Sequence, residues 1–421
     1  MKGEVWPRTR LGDICKKVGS GATPRGGAEV YLSSGIALIR SQNVYNEGFR
    51  QNGLAYISDE DAEVLANVAV QRDDVLLNIT GDSVARCCLA PRGILLARVN
   101  QHVAIIRPRP DRLDARYLRY FLVSPAMQNH MLALAAAGAT RNALTKGMVE
   151  DFEVPLPSIP EQRAIAHILG TLDDKIELNR RMNETLEAMT QAIFKSWFVN
   201  FDPVHAKAEG RNPGLPKHLA DLFPDSFQDS ELGRIPKGWS VGNLGDIVKV
   251  TSGKRPEGRS EVRDDTYQIP LFGGGGPMAY VKTPLYERPI ILTGRVGTLG
   301  VVFRVTSPCW PSDNTLVVLP RQAEWYEFVF HKTRCLDFGS LNRGSTQPLV
   351  TQKDLQAQWV IIPSSNIVEQ FHGLAKSICD KVDLNGKQFG TVVAIRDALL
   401  PKLLSGELRL GNPSTFLKDV P

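Results

Sequence analysis

No run of about 18 apolar residues occurs anywhere in the chain, so no membrane-spanning helix is expected. The opening residues, MKGEVWPRTRLGDI, lack the apolar stretch of a secretory leader. Six cysteines (Cys15, Cys87, Cys88, Cys309, Cys335, Cys379) form no CxxC pair and no framework spacing, which points to a reduced, cytoplasmic protein. The parts of a catalyst are missing as well. There is no GxxxxGK[ST] loop to cradle a nucleotide phosphate, and the histidines are scattered away from metal-ligand spacing. Gly273–Gly276 contains a nominal GxGxxA, but Pro277 follows at once, so a tight turn beside a strand is expected instead of a dinucleotide fold. FDPV (Phe201–Val204) and NPGL (Asn212–Leu215) only approach the Asn/Asp-Pro-Pro-aromatic loop of enzymes that methylate DNA amino groups, and PDRLDAR (Pro110–Arg116) lacks the lysine of a metal-dependent nuclease signature. Asp73–Asp74 and Asp173–Asp174 read as caps or solvated faces. No catalytic residue and no metal site is assigned.

What is present is ordinary globular composition, 43% apolar and 23% charged, in 421 residues, enough for two or three domains. The net charge of +5 is modest but unevenly placed. Arg72 to Arg119 holds nine arginines, no lysine and five acidic residues. Arginine suits bidentate contact with phosphate and guanine, although a solvated basic face would look the same.

The most regular stretch runs from Ser158 to Asp202. It opens on a capping pattern, Ser158 with Glu161, and Pro160 falls where its missing N–H costs nothing. Ile165, Leu172, Leu186 and Ile193 recur at seven-residue spacing, with Ile168, Met182 and Met189 at the companion position and Asn179 interrupting. Pro203 closes a helix of about 40 residues, roughly 60 Å long. A second copy lies 206 residues on: KIELN (Lys175–Asn179) becomes KVDLN (Lys381–Asn385). Phe371, Ile378, Val392 and Leu399 repeat the spacing, Asn385 repeats the interruption, and Asn366 with Glu369 repeats the cap. A polar residue in an apolar seam costs stability and serves to fix register. Pro401 should kink the second helix or end it near Leu400.

The repeat extends to the globular parts. LGDI (Leu11–Ile14) recurs as Leu244–Ile247, and Gly21 and Pro24 recur as Gly253 and Pro256. DVLLNITG parallels IILTG, QHVAIIRP parallels NTLVVLP, and GATRNALT parallels GSTQPLVT. Strands are expected at Ile36–Arg40, Val75–Thr80, Val103–Arg107, Ile290–Thr293, Val301–Val305, Thr315–Leu319 and Trp359–Ile362, with short helices at Ala115–Ser124 and Glu324–Lys332 whose aromatics belong to the core. The fold class is α+β, in the order domain 1–157, long helix 158–202, Pro-rich linker 203–236, domain 237–363, long helix 364–408 and tail 409–421.

The block Leu156–Trp197 with FDPV, KAEGRNPGLP, DLFPDSF and SELGRIPKGW resembles the specificity subunits of type I restriction–modification systems. So do LLPKLLSGEL (Leu399–Leu408), GRVGTLG (Gly294–Gly300) and WPSDNT (Trp310–Thr315), and the likeness covers nearly the whole chain. It implies two target recognition domains joined by an antiparallel coiled coil of the two long helices, with a pseudo-two-fold internal repeat. Each domain would read one half of a split, asymmetric site on double-stranded DNA. Two modification (methyltransferase) subunits would dock on the helices, and restriction subunits, the ATP-dependent translocase and nuclease, would join them. S-adenosylmethionine, ATP and Mg²⁺ would belong to those partners, leaving this chain non-catalytic and without a cofactor or a membrane role. The residues expected to meet DNA are polar and basic side chains on loops that flank strands. They are Arg40, Gln42, Asn43, Arg86, Gln101, Arg141 and Asn142 in the first domain, and Lys254, Arg255, Arg295, Asn314, Arg343 and Gln347 in the second.

Overall fold

The computed structural model describes residues 6–137, 142–344 and 346–410. The chain packs as two compact units, Met1–Asn179 with Gln388–Pro421, and Arg180–Lys387. Each unit takes a stretch of both long helices, Ile159–Phe198 and Ser365–Ser405.

Both units are built on the same four-stranded antiparallel sheet. In the first, the order is Cys15–Ser20, Val103–Pro108, Val75–Asn78, Cys87–Leu89. In the second it is Val248–Ser252, Thr315–Pro320, Ile290–Gly294, Val302–Val305. The central strands are continuous apolar runs because both faces are covered. Period-two alternation sends Leu77, Ala104 and Ile106 to one core and Leu76, Val103 and Ile105 to another. Likewise Ile291, Leu316 and Val318 face one way, and Ile290, Leu292, Val317 and Leu319 the other. A small second sheet also recurs, with one antiparallel and one parallel pairing. Ile36–Ile39 lies between Ala55–Ile57 and Arg98–Val99, and Ile269–Gly273 between Gly276–Val281 and Trp310–Pro311. The Gly273–Gly276 turn joins two strands of that sheet, as its sequence suggests.

The helical face of each sheet receives the long helices. In the first unit Tyr117, Leu118 and Phe121 of the Ala115–Val123 helix pack with Ile165, Leu169, Leu400, Leu403 and Leu404. Asp114 caps that short helix by accepting from the N–H groups of Arg116 and Tyr117. In the second unit Phe194, Trp197, Phe198 and Phe371 form an aromatic cluster against Phe328. Within each unit the two helix stretches run antiparallel. Asp173 meets Arg396 where Ile165 shares a core with Leu404, and Asn183 meets Asn385 where Phe194 meets Phe371.

Several expectations need correction. The second long helix continues through Pro401 to Ser405, because Leu400, Leu403 and Leu404 are buried and the lost N–H affects only the last turns. Its start is Ser365, so Asn366 lies in the first turn, and the Ser364 carbonyl accepts from Ile367 and Val368. The cap on the first helix is as expected, with Glu161 accepting from the backbone N–H and hydroxyl of Ser158. Of the expected seam residues Ile165, Phe371, Asn179 and Asn385 are buried and Leu172, Leu186, Ile193, Ile378, Val392 and Leu399 half-buried, whereas Met189 is 49% exposed. Segment 203–236 is folded: Asp202–Ala208 and Lys217–Ala220 are helical, and Phe227–Ser230 pairs with Gly233–Pro236. Buried Val204, Phe223 and Ile235 anchor it to the second core, and Pro203 stands in the first turn of a new helix. Asp74 and Asp173 are not solvated faces. Asp74 is fully buried and takes Arg107 at 2.7 and 2.8 Å, and Asp173 accepts from Arg119, Tyr120 and Arg396.

Candidate nucleic-acid interface

In each unit one end of the main sheet gathers loops from distant parts of the chain. Gly21 and Gly253 begin this end. Each follows an edge strand and lets the chain approach another backbone: an added Cβ would stand 1.9 Å from the Val99 carbonyl oxygen in one unit and 2.2 Å from that of Ser312 in the other. The recurring glycines in the sequence therefore mark a close approach between strands and loops.

Around Gly21 the loops are tied by hydrogen bonds. Gly21 donates to Val103 O, Asn100 to Ile39 O, and the Asn78 side chain to Ser41 O. Asn78 N–H donates to Arg86 O, and Gly81 N–H donates to Asn142 O. These bonds bring Arg40, Gln42, Arg86, Gln101 and Asn142 to one sheet end. Gln42, Gln101 and Asn142 are exposed, and Arg40 is half-buried, donating to Gly53 O and lying over the Tyr31 ring. Asn43 has a different role. It is fully buried, its oxygen accepts from Arg40 N–H and its amide donates to Arg50 O and Asn52 O, so it shapes the loop and is closed to an outside ligand. Arg141 lies outside the described residues.

The second unit repeats the arrangement. Gly253 donates to Thr315 O, Lys254 to Pro311 O, Arg295 to Asn314 O and Val350 to Arg295 O. Lys254, Arg255, Asn314 and Gln347 are exposed, and Arg295 is half-buried. Arg295 and Arg343 line a pocket of about 390 Å³ with Ser252, Thr351, Gln352 and Lys353. Arg343 is paired with Asp354 at 2.5 Å. Burial works to raise the Asp354 carboxyl, but hydrogen bonds from Thr351 and the Arg343 charge outweigh it and hold it below the usual range. Of the three cationic side chains that line the pocket, Arg343 is therefore held by a carboxylate that lies outside the lining.

Sequence reasoning did not single out Tyr45, Arg50, Gln352 or Lys353. They carry no motif, and only the folded loops bring them to the sheet end. The arginine run, read as nucleic-acid contacts or as a solvated basic face, is divided by the structure. Arg98 is buried and donates to Ala62 O, Arg107 and Arg119 are bound to carboxylates, and Arg86 faces the loop cluster. Among the described residues no group of three or more His, Cys, Asp or Glu is arranged to hold a metal ion, and no helix is long and apolar enough to cross a membrane.

A family model described as the type I restriction modification DNA specificity domain matches residues 4–188 and 236–381, one stretch in each half. The specificity subunit of the type I restriction enzyme MjaIX from Methanocaldococcus jannaschii is 28% identical, covering 96% of this chain and 94% of its own length. The HindI specificity subunit from Haemophilus influenzae is 23% identical over 96% of this chain and 99% of its own. Among solved structures, the S subunit of a type I restriction–modification system from M. genitalium shares the fold, with a TM-score of 0.65 at 18% identity over 95% of this chain and 96% of that one.

Proposed function

The chain belongs to the type I restriction–modification DNA specificity family, and from that membership we propose that it is the DNA-reading subunit of a multi-subunit enzyme whose reactivity resides in other chains. Each unit reads one half of a bipartite, asymmetric site on double-stranded DNA. The observation that carries this reading is the duplication of a single device: the same sheet order, the same close-approach glycine and the same end of the sheet bearing polar and basic loop residues. Divergent loops on a shared frame suit two readers of different sequence. Phosphate contacts from arginine and lysine supply affinity, and Gln42, Gln101, Asn142, Asn314 and Gln347 read base edges.

The long helices serve as spacer and as docking surface. Leu178, Phe389 and Ile395 in the first unit, and Leu374, Leu384 and Met189 in the second, are 37–52% exposed on these helices. Apolar side chains exposed along a helix suit a protein partner, here two modification subunits, with restriction subunits joining afterwards. S-adenosylmethionine, ATP and Mg²⁺ then belong to those partners. Methyl transfer from labelled S-adenosylmethionine to DNA tests the division of labour. The purified chain alone should transfer nothing and should confer site-specific methylation when modification subunits are added; methylation by the chain alone would overturn the reading.

A further inference from the structure

We propose that Arg50 and Arg86, gathered on the ring of Tyr45, form a preset clamp for the DNA backbone in the first unit, a site that supplies affinity and salt dependence without reading sequence. This rests on the DNA-binding function proposed above. The two guanidinium carbons stand 3.8 and 4.8 Å from one ring centroid, so the two like charges lie within about 9 Å of each other. Among the described residues neither arginine forms an ion pair; Glu47, in the turn of the same hairpin, is exposed and pairs with neither. Three other arginines of the first unit are committed inside it, Arg107 to Asp74, Arg119 to Asp173 and buried Arg98 to a carbonyl. Two neighbouring cations without a carboxylate repel one another until an anion lies between or across them. A phosphodiester supplies that charge.

The support beneath the pair is rigid. Tyr45 belongs to a hairpin, Val44–Tyr45 with Gly48–Phe49, whose turn residue Asn46 accepts from Cys87 N–H at 2.9 Å and donates to Gln128 at 3.2 Å. Arg86 is fixed by its carbonyl, which accepts from Asn78 N–H at 2.8 Å. The residue before it, Ala85, is held at φ +73°, in the left-handed region disfavoured for a side chain with a Cβ, and its carbonyl accepts from Gln128. This backbone turn sets the direction from which Arg86 leaves the chain. Through Asn78 and Ser41 the clamp is tied to the loop that carries Arg40 and Gln42. Ring and guanidinium planes together lower the entropy lost when the cations engage phosphate.

The test is the salt dependence of binding by the complex assembled with modification subunits. The probes are a duplex carrying the motif methylated in cells and a scrambled duplex of equal length. Arg50→Gln and Arg86→Gln should each lower the slope of log K against log salt by about 0.9, and the double variant by about 1.8. Both duplexes should be weakened by the same factor, and the methylated motif should stay the same. The double variant Arg50→Lys with Arg86→Lys should keep the slope, which separates charge from folding, and the single variants serve if the double glutamine variant fails to assemble. An unchanged slope would overturn the clamp, as would a loss confined to the target duplex or an altered motif. A wild-type complex that does not prefer its target would instead refute the proposed function itself.

Discussion

His331 lies 4% exposed against the ring of Phe194, at a centroid distance of 5.2 Å, and its Nε2 has no hydrogen-bond partner. Burial first, then the charges of Arg334 and Arg304, push its pKa down to about 4. The unfolded chain binds this proton near pH 6.5, so the stability from keeping the ring neutral is complete above that pH. It is lost as pH falls from about 6.5 to about 4, by up to roughly 3 kcal/mol at about 1.4 kcal/mol per unit. Nearby Glu327 works in the opposite sense, since burial raises its carboxyl. Replacing His331 by Phe keeps the ring stack and should flatten the fall in urea midpoint between pH 7 and pH 4.5; parallel falls in both proteins would exclude the histidine as its cause. At Gly253 the backbone of Pro311 and Ser312 leaves no room for a Cβ, so Gly253→Ala should lower stability by about 1–3 kcal/mol in denaturant unfolding. Single residues of this kind were partly legible in sequence. Gly21 and Gly253 stood out because they recur, but Asn43 was misjudged, since an asparagine that builds a loop and one that reads a base have the same chemistry. The Tyr45 cluster carries no local signal at all, because its members meet only through the hairpin and the turn at Ala85.

The long helices were legible almost in full, since apolar spacing and the Ser158–Glu161 cap are local facts. Their ends were harder. Buried leucines carry the second helix past Pro401, and the expected linker folds onto aromatic side chains far away in sequence. The matching asparagines prove unequal. Asn385 donates to Asn183 at 2.9 Å, whereas the buried Asn179 amide nitrogen has no partner, and the residue that corresponds to Asn183 in the repeat is Phe389. Asn179→Leu should therefore raise the melting stability, and Asn385→Leu should lower it by leaving Asn183 unmatched, each by about 1 kcal/mol. Equal effects of the same sign would show that the two asparagines play the same part. On the same helix, Leu384→Glu should leave folding intact and reduce recovery of modification subunits in co-purification, whereas full recovery would remove that face from the docking surface.

At the scale of the whole molecule, duplication is the dominant fact. Two units repeat one sheet order and one loop-bearing sheet end, and the repeat is legible in LGDI, in the paired asparagines and in the strand motifs of the sequence alone. Which loops would meet was not visible, because loop lengths differ between the halves and contacts such as Gly81 with Asn142 span long stretches of sequence. A reader built twice should be divisible, and linking two weak readers makes the second binding event intramolecular. The decisive measurement is the methylated motif, sequenced in cells whose copy of this chain carries a relative's sequence across residues 30–150. One half of the motif should change while the other half and the gap between them stay as they were; a change in both halves would contradict independent readers.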